Sequence, residues 1–272
     1  MIRLDGRPVK TDHFPDGTLL LKEAVTHEND PHVITWNYEN NEELLAVYFL
    51  AKHVRASGAK KLVLDMPYIP NARQDRVKAA EDVFTLKYFA ELINSLHFDK
   101  VRVLDAHSNV SLALLDRVEQ NSPKPFIEEA IKRVEMEEGR EPVLFYPDEG
   151  AGKRYGTMIS KPYCFGIKKR DWETGEIQGL DVAGDVSMLQ GNVVLIIDDI
   201  CSFGGTFLHS ARKLRGLGAE KIYLYVSHCE ENIVKGELLK GDLIEKVYTT
   251  DSIAGSDLHE KVTVIPITYF EK

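Results

Sequence analysis

Short apolar, mostly β-branched runs alternate along the chain with longer stretches in which apolar positions recur every three or four residues. A run that is apolar throughout reads as a strand buried on both faces, and the longer recurrence reads as a helix with one face on a core. Strands are expected over 33–36, 61–65, 101–105, 143–146, 163–167, 193–197, 221–226, 246–250 and 262–267. Leu44, Leu45, Val47, Tyr48, Ala51 and Val54 mark a helix over 41–56, closed by Ser57-Gly58. Further helices are expected from an N-cap at Thr85 to His97, near 126–136 and over 205–216.

Strands separated by helical stretches predict an α/β fold with a largely parallel sheet and helices on both faces. The arrangement occurs twice. The polar stretch Glu119-Gln-Asn-Ser-Pro-Lys124 is the best boundary. It gives domains over 1–122 and 123–272, with the last residues able to return to the first. The segment 171–185 is polar, holds three glycines and lacks clear periodicity. It reads as a long mobile loop, and such loops often carry function.

Length and charge narrow the picture. The chain has 272 residues, which suits two domains, and a hydrophobic content of 43%, which suits a buried core. A net charge of −9 excludes a general nucleic-acid binder, which needs a basic face. It leaves nucleotide binding open, because a few local donors and a metal ion hold a phosphate on an acidic protein. Cys164, Cys201 and Cys229 are few, odd in number and far apart, so a disulfide framework and a cysteine zinc site are not expected. The start, Met1-Ile-Arg-Leu-Asp-Gly-Arg7, has no apolar signal core, and no apolar run is long enough to span a membrane. A cytoplasmic protein with no membrane partner is expected.

Candidate chemistry concentrates in Val193-Val-Leu-Ile-Ile-Asp-Asp-Ile-Cys-Ser-Phe-Gly-Gly-Thr206. A buried strand is expected to end in Asp198 and Asp199. A short loop with Ser202 and Phe203 follows, and Gly204, Gly205 and Thr206 open a helix. Ligands of open parallel sheets bind at the carboxyl ends of strands. Glycines let backbone N–H groups close on an anion, and a helix N-terminus adds favourable partial charge. Two adjacent acids accept hydrogen bonds from a diol or help to hold a metal ion. The pattern suits a sugar carrying a phosphate.

This loop resembles the ribose-phosphate motif shared by ribose-phosphate diphosphokinases (PRPP synthetases) and type I phosphoribosyltransferases. Met66-Pro-Tyr-Ile-Pro-Asn-Ala-Arg-Gln-Asp-Arg76 separates the two. It is similar to the Pro-Tyr-x-x-x-Ala-Arg-Gln-Asp-Arg motif of the diphosphokinases, which the transferases lack. Further matches run in order. Phe14-Pro-Asp-Gly17 resembles the loop that holds adenine, usually of a neighbouring subunit's ATP. Leu104-Asp-Ala-His107 resembles the motif whose histidine binds magnesium. Tyr146-Pro-Asp-Glu-Gly-Ala-Gly-Lys-Arg154 resembles the diphosphate loop. Ile167-Lys-Lys-Arg170 resembles the start of the flexible catalytic loop. Ser227-His228 and Asp251-Ser-Ile253 fall where the family has Thr-His and Asp-Thr-Ile.

The resemblance implies two tandem phosphoribosyltransferase-like domains, each a mainly parallel sheet flanked by helices. It implies transfer of the β,γ-diphosphate of MgATP to the C1 hydroxyl of a ribose, with AMP leaving. ATP would be held by Phe14, Asp16, Arg73, Gln74, Asp75 and His107. Mg²⁺ would be held by His107 and Asp148, and the diphosphate by Asp148, Gly150, Gly152 and Lys153. The ribose and its phosphate would be held by Asp198, Asp199, Ser202, Phe203, Gly204, Gly205 and Thr206. Lys169 and Arg170 would stabilise charge during transfer. An adenine loop acting across subunits implies a homo-oligomer, a dimer or a hexamer.

Four departures bear on this reading. Ser202-Phe203 stands where the family usually has Asp-Thr, Thr18 replaces a Glu, Asp171 replaces a basic residue, and Ala151 replaces a glycine. An aromatic ring in place of the phosphate-contacting Thr leaves two acceptors open: ribose 5-phosphate, or a 5′-extended ribose such as ADP-ribose, which would lead to NAD salvage. The alternatives are a type I phosphoribosyltransferase and a non-catalytic regulatory relative.

Overall fold

The computed structural model describes residues 1–26, 30–170 and 177–267, without the side chains of 168–170 and 177–178. The chain divides into two compact units, one holding Met1–Ser122 and the other beginning at Pro123. The expected return of the last residues to the first unit falls on 268–272, outside the described residues.

The first unit contains β1 (Ile2–Leu4), β2 (Arg7–Pro8), β3 (Thr11–His13), β4 (Leu19–Leu21), β5 (His32–Trp36), α1 (Glu42–Ala56), β6 (Leu62–Asp65), α2 (Thr85–Asn94), β7 (Lys100–Leu104), α3 (Asn109–Leu114) and β8 (Val118–Asn121). Its main sheet runs β2-β1-β5-β6-β7-β8. The strands from β5 to β8 are parallel, and β1 and β2 add an antiparallel edge. β3 and β4 form a separate hairpin. The core gathers Ile34, Leu62, Leu64 and Val103 from the strands with Val47, Leu50, Val54, Leu86 and Phe89 from α1 and α2.

The second unit contains α4 (Lys124–Glu138), β9 (Val143–Tyr146), α5 (Glu149–Tyr155), β10 (Tyr163–Arg170), β11 (Ile177–Ala183), β12 (Val193–Cys201), α6 (Gly205–Gly216), β13 (Lys221–Cys229), β14 (Val247–Thr250) and β15 (Val262–Ile265). Its sheet runs β11-β10-β9-β12-β13-β14-β15, parallel throughout except for β11. Alternation along β13 assigns its two faces. Ile222, Leu224 and Val226 share a buried cluster with Phe207, Ala211 and Leu214 of α6. Lys221 and Tyr223 instead bond Glu138 of α4. Helices therefore cover both faces, as an α/β fold requires.

Several elements differ from the sequence expectation. Thr85 is not an N-cap but the first residue of α2, which Phe84 precedes; its hydroxyl donates to Gln74 Oε1 at 2.7 Å. That helix stops at Asn94, and His97 already lies at φ +52°. β12 runs beyond 197 to Cys201, because Ile200 and Cys201 still pair with His228 and Cys229 of β13. Half of the supposed loop 171–185 is the strand β11. Leu180 and Val182 alternate with Gly179, Asp181 and Ala183 and pack on the core, a half-buried pattern too short to stand out in the sequence. Of the rest, 171–176 lie outside the described residues, and Gly184 and Asp185 lead into a short helical turn that Asp185 caps. The boundary stretch is likewise ordered, since β8 closes the first sheet.

Candidate active site

In the second unit the acids stand where β12 leaves its apolar stretch. Five buried residues, Val193–Ile197 in sequence, precede them, and Asp198 and Asp199 then occupy successive positions inside the strand. Asp199 is 5% exposed and pairs with Arg154 of α5, Nη1 to Oδ2, at 3.3 Å. Its backbone N–H donates to Asp198 Oδ1 at 3.0 Å. Enclosure by protein pushes Asp198 well above the ordinary carboxylate range, and the negative charges of Asp199 and then Asp148 push the same way. Three acids from two strand ends thus share one electrostatic site, with Arg154 as a counter-charge.

Asp148 follows β9 and caps α5, accepting from the Ala151 N–H at 3.0 Å. Gly150 and Gly152, expected to hold the diphosphate, lie in the first turns of α5, where the Gly150 amide precedes the first intrahelical bond, Gly152 N–H to Asp148 O at 3.0 Å. Asp148 as N-cap draws the chain straight into the helix. Lys153 points elsewhere than the acids, pairing with Glu149 at 2.9 Å across one helical turn.

The loop after β12 is shaped by close packing. Gly204 takes φ +81° as N-cap of α6, and a Cβ there would stand 2.7 Å from the Leu238 side chain. Only glycine meets both demands. The first intrahelical bond of α6 runs from Leu208 N–H to Gly204 O at 3.0 Å, so the amides of Gly205, Thr206 and Phe207 precede it and have no intrahelical acceptor. That is an anion-binding arrangement. Phe203 is 55% exposed. Ser202 donates its hydroxyl to Glu230 Oε2 at 2.6 Å.

In the first unit, residues 66–84 follow β6. Arg73, Gln74 and Arg76 are exposed, whereas Asp75 is buried. Arg76 donates Nε and Nη2 to Asp75 at 2.7 and 3.0 Å. Those bonds hold the Asp75 carboxyl below its usual range against its burial, and His107 adds to the same direction. The fold therefore brings the Arg-Gln-Asp-Arg segment and His107 together. Asp105, buried at φ +43°, turns the chain after β7 and leaves His107 half-exposed. Gln74 accepts from Thr85 through its carbonyl oxygen, so its amide N–H₂ is the end suited to a ligand.

Phe14 and Asp16 form the tip of the β3–β4 hairpin. Phe14 is 49% exposed. Asp16 accepts from both the backbone N–H and the hydroxyl of Thr18, at 3.0 and 2.7 Å, and these bonds lower its pKa. Thr18, which departs from the family pattern, thus locks the turn. Lys169 and Arg170 lie at the end of β10, their backbones paired with β11, with a register shift between them. Their side chains are outside the described residues.

Among the described residues no group of three or more His, Cys, Asp or Glu side chains could hold a metal ion. Mg²⁺ needs no such cage. It is normally bound by one or two carboxylates together with substrate phosphates and water, and Asp148, whose charge reaches Asp198, is an oxygen donor of that kind. No helix of the described residues is long and apolar enough to cross a membrane.

Sequence reasoning missed Arg154 and Glu230. Arg154 ends the motif in which Asp148, Gly150, Gly152 and Lys153 are the expected diphosphate residues, and its charge beside Lys153 is the available signal. Glu230 carried no signal, because its partner Ser202 is brought to it only by the pairing of β12 with β13.

Comparison with known proteins extends these observations. Residues 2–96 match the N-terminal domain of ribose phosphate pyrophosphokinase. The ribose-phosphate pyrophosphokinase of Pyrococcus furiosus is 30% identical over 226 residues, covering 81% of this chain and 77% of that one. The enzyme of the same name from Saccharolobus solfataricus is 29% identical over 225 residues, covering 81% and 76%. The crystal structure of phosphoribosylpyrophosphate synthetase from Mycobacterium smegmatis shares the fold at a TM-score of 0.75, covering 96% of this chain and 86% of that one at 19% identity. With the Arg-Gln-Asp-Arg segment on one unit, the paired acids and anion-binding helix start on the other, and relatives matched across both, the chain belongs to the ribose-phosphate pyrophosphokinase family.

Proposed function

We propose that the protein transfers the β,γ-diphosphate of MgATP to the C1 hydroxyl of a ribose that carries phosphate at its 5′ end, releasing AMP, as a cytoplasmic homo-oligomer. The observation that carries this reading is the succession of the paired acids on β12 and the unbonded amides at the start of α6. It offers acceptors for a diol and donors for a phosphate within one short segment. Asp198 and Asp199 hold the ribose hydroxyls, and the amides of Gly205 and Thr206 hold the 5′-phosphate. Arg73 and Gln74 grip ATP, with Asp75 and Arg76 fixing the segment from behind. Phe14 and Asp16, on an exposed hairpin tip, take the adenine of a neighbouring subunit's ATP. Asp148 on the second unit and His107 on the first would each be a ligand for Mg²⁺, which would supply charge neutralisation to the phosphates. Little covalent chemistry falls to the protein, so its residues act by positioning and by stabilising charge. Lys169 and Arg170 take the latter part.

The acceptor has two readings. Ribose 5-phosphate fits the amide site as it stands. A 5′-extended ribose, ADP-ribose above all, is the second, supported by the exposed Phe203 ring in the loop, since an exposed aromatic ring can stack on a base or cover a larger group. The extended acceptor would put the enzyme in a salvage route to NAD. Phosphorus NMR of the protein with MgATP, offered ribose 5-phosphate and ADP-ribose in turn, tests both. A new C1 diphosphate on one acceptor identifies it, and AMP release with neither sinks the proposal.

A further inference from the structure

Ser202 stands where loops of this kind usually carry an acid, and the structure supplies one from another strand. Glu230 follows the last residue of β13. Its backbone N–H donates to Cys201 O at 2.8 Å, and its Oε2 accepts the Ser202 hydroxyl at 2.6 Å. Asn232 Nδ2 donates to the same oxygen at 3.5 Å. The register between the strands makes this possible, since Cys201 and Cys229 are direct partners and place residues 202 and 230 side by side. The segment beyond keeps them there. Leu238 packs against Gly204, and Gly236 passes so close that a Cβ on it would stand 2.0 Å from Phe203 O. Residues 230–238 therefore brace the loop along its whole length.

A serine hydroxyl has one proton and two lone pairs. At 2.6 Å from a carboxylate oxygen that proton is committed, in a hydrogen bond stronger than a neutral one. The Ser202 oxygen then meets a ligand with lone pairs only. A phosphate oxygen, itself an acceptor, gains nothing from it, whereas a sugar hydroxyl or an N–H does. An aspartate in the same place would present acceptors in the same way.

We infer that Glu230 is a positioning residue of the acceptor site: by holding the Ser202 proton it turns the loop's first polar group into an acceptor, matched to a hydroxyl of the ligand and not to its phosphate. This rests on the reading of the loop as the ribose-phosphate site. The ligand's phosphate is then left to the backbone amides at the start of α6.

The test is steady-state AMP release with MgATP and whichever of ribose 5-phosphate and ADP-ribose the wild type accepts. Glu230→Ala should raise KM for the acceptor at least fivefold and leave KM for ATP within twofold. Ser202→Asp added to Glu230→Ala should return the acceptor KM to within threefold of wild type, because the aspartate restores acceptor-only character at 202. Glu230→Gln keeps the shape of the side chain and guards against misfolding. It should retain an acceptor KM below that of Glu230→Ala, with an unchanged Tm. An acceptor KM unmoved in Glu230→Ala, or a loss that the added aspartate does not rescue, overturns the role of Glu230 while leaving the functional reading in place. A wild type that transfers diphosphate to neither acceptor overturns the functional reading, and this inference with it.

Discussion

Replacing Arg154 with methionine isolates the counter-charge of the acid pair. Arg154 Nη1 stands 3.3 Å from Asp199 Oδ2. At an effective dielectric of about 20, two unit charges at that separation attract by about 5 kcal/mol. The net loss is smaller, because the Arg154 side chain keeps 28% of its surface in water and regains hydration when the pair opens. Removing one partner of a fully buried pair costs roughly 3–5 kcal/mol, and this partly exposed one should cost about 2 kcal/mol. Methionine keeps the aliphatic stem and removes the guanidinium, whose central carbon lies 5.6 Å from the Tyr155 ring centroid, so a weak cation–π contact goes with the charge. Asp198 already sits above the usual carboxylate range through its enclosure, Asp199 and Asp148. Without Arg154 the cluster takes up a proton more readily, and a protonated acid accepts fewer hydrogen bonds from the ribose. Protonation is favoured at low pH, so the damage is greatest there. KM for the acceptor, measured by AMP release between pH 6.5 and 8.5, should rise about tenfold at the acid end and recover in part at the alkaline end. Tm should fall by a few degrees. An acceptor KM within twofold of wild type across that range, in a protein that folds, refutes the assignment.

Three further outcomes are expected. Asp65 is fully buried, donated to by Arg102 at 2.5 and 2.7 Å, and burial pushes its carboxyl up to about 6. A folded-state pKa above the ordinary 3.8 contributes stability that is present at low pH and lost as pH rises towards 6. The stability of wild type relative to Asp65→Asn, from urea melts, should therefore fall by about 2 kcal/mol between pH 4 and pH 7, and a difference that is flat over that range refutes it. Phe203→Thr should raise the ratio of kcat/KM for ribose 5-phosphate to that for ADP-ribose at least tenfold; an unchanged ratio leaves the ring a packing residue only. Lys169→Ala should lower kcat about 100-fold, near 2.7 kcal/mol of transition-state stabilisation, with KM values within threefold, and a kcat within threefold of wild type removes Lys169 from the chemistry.

The fold class was legible because its information is local. β9 and the first five residues of β12 are apolar on both faces, and a strand of that kind needs a parallel sheet covered on both sides. β11 was not legible, because among its described side chains Leu180 and Val182 are the apolar ones packed on the core, and two alternating positions around Asp181 are too few to mark a strand. The ends of β12 and α2 were misjudged for a related reason. Where a strand stops depends on how far its neighbour continues to pair, and where a helix stops depends on backbone angles at residues such as His97. The candidate site divides along the same line. Residue types in fixed local spacing could be read directly, as with Asp198, Asp199 and the glycines that open α6. Arg154 against Asp199 and Glu230 against Ser202 could not, since each pair is joined only through the sheet. Position 202 shows the consequence. The sequence alone records an acid lost from the loop. The register of β12 on β13 shows a carboxylate standing beside the same position from residue 230. A substitution in a loop at a strand end therefore has to be read together with the residue that the neighbouring strand delivers next to it. Here that residue decides whether a serine meets its ligand as a donor or as an acceptor.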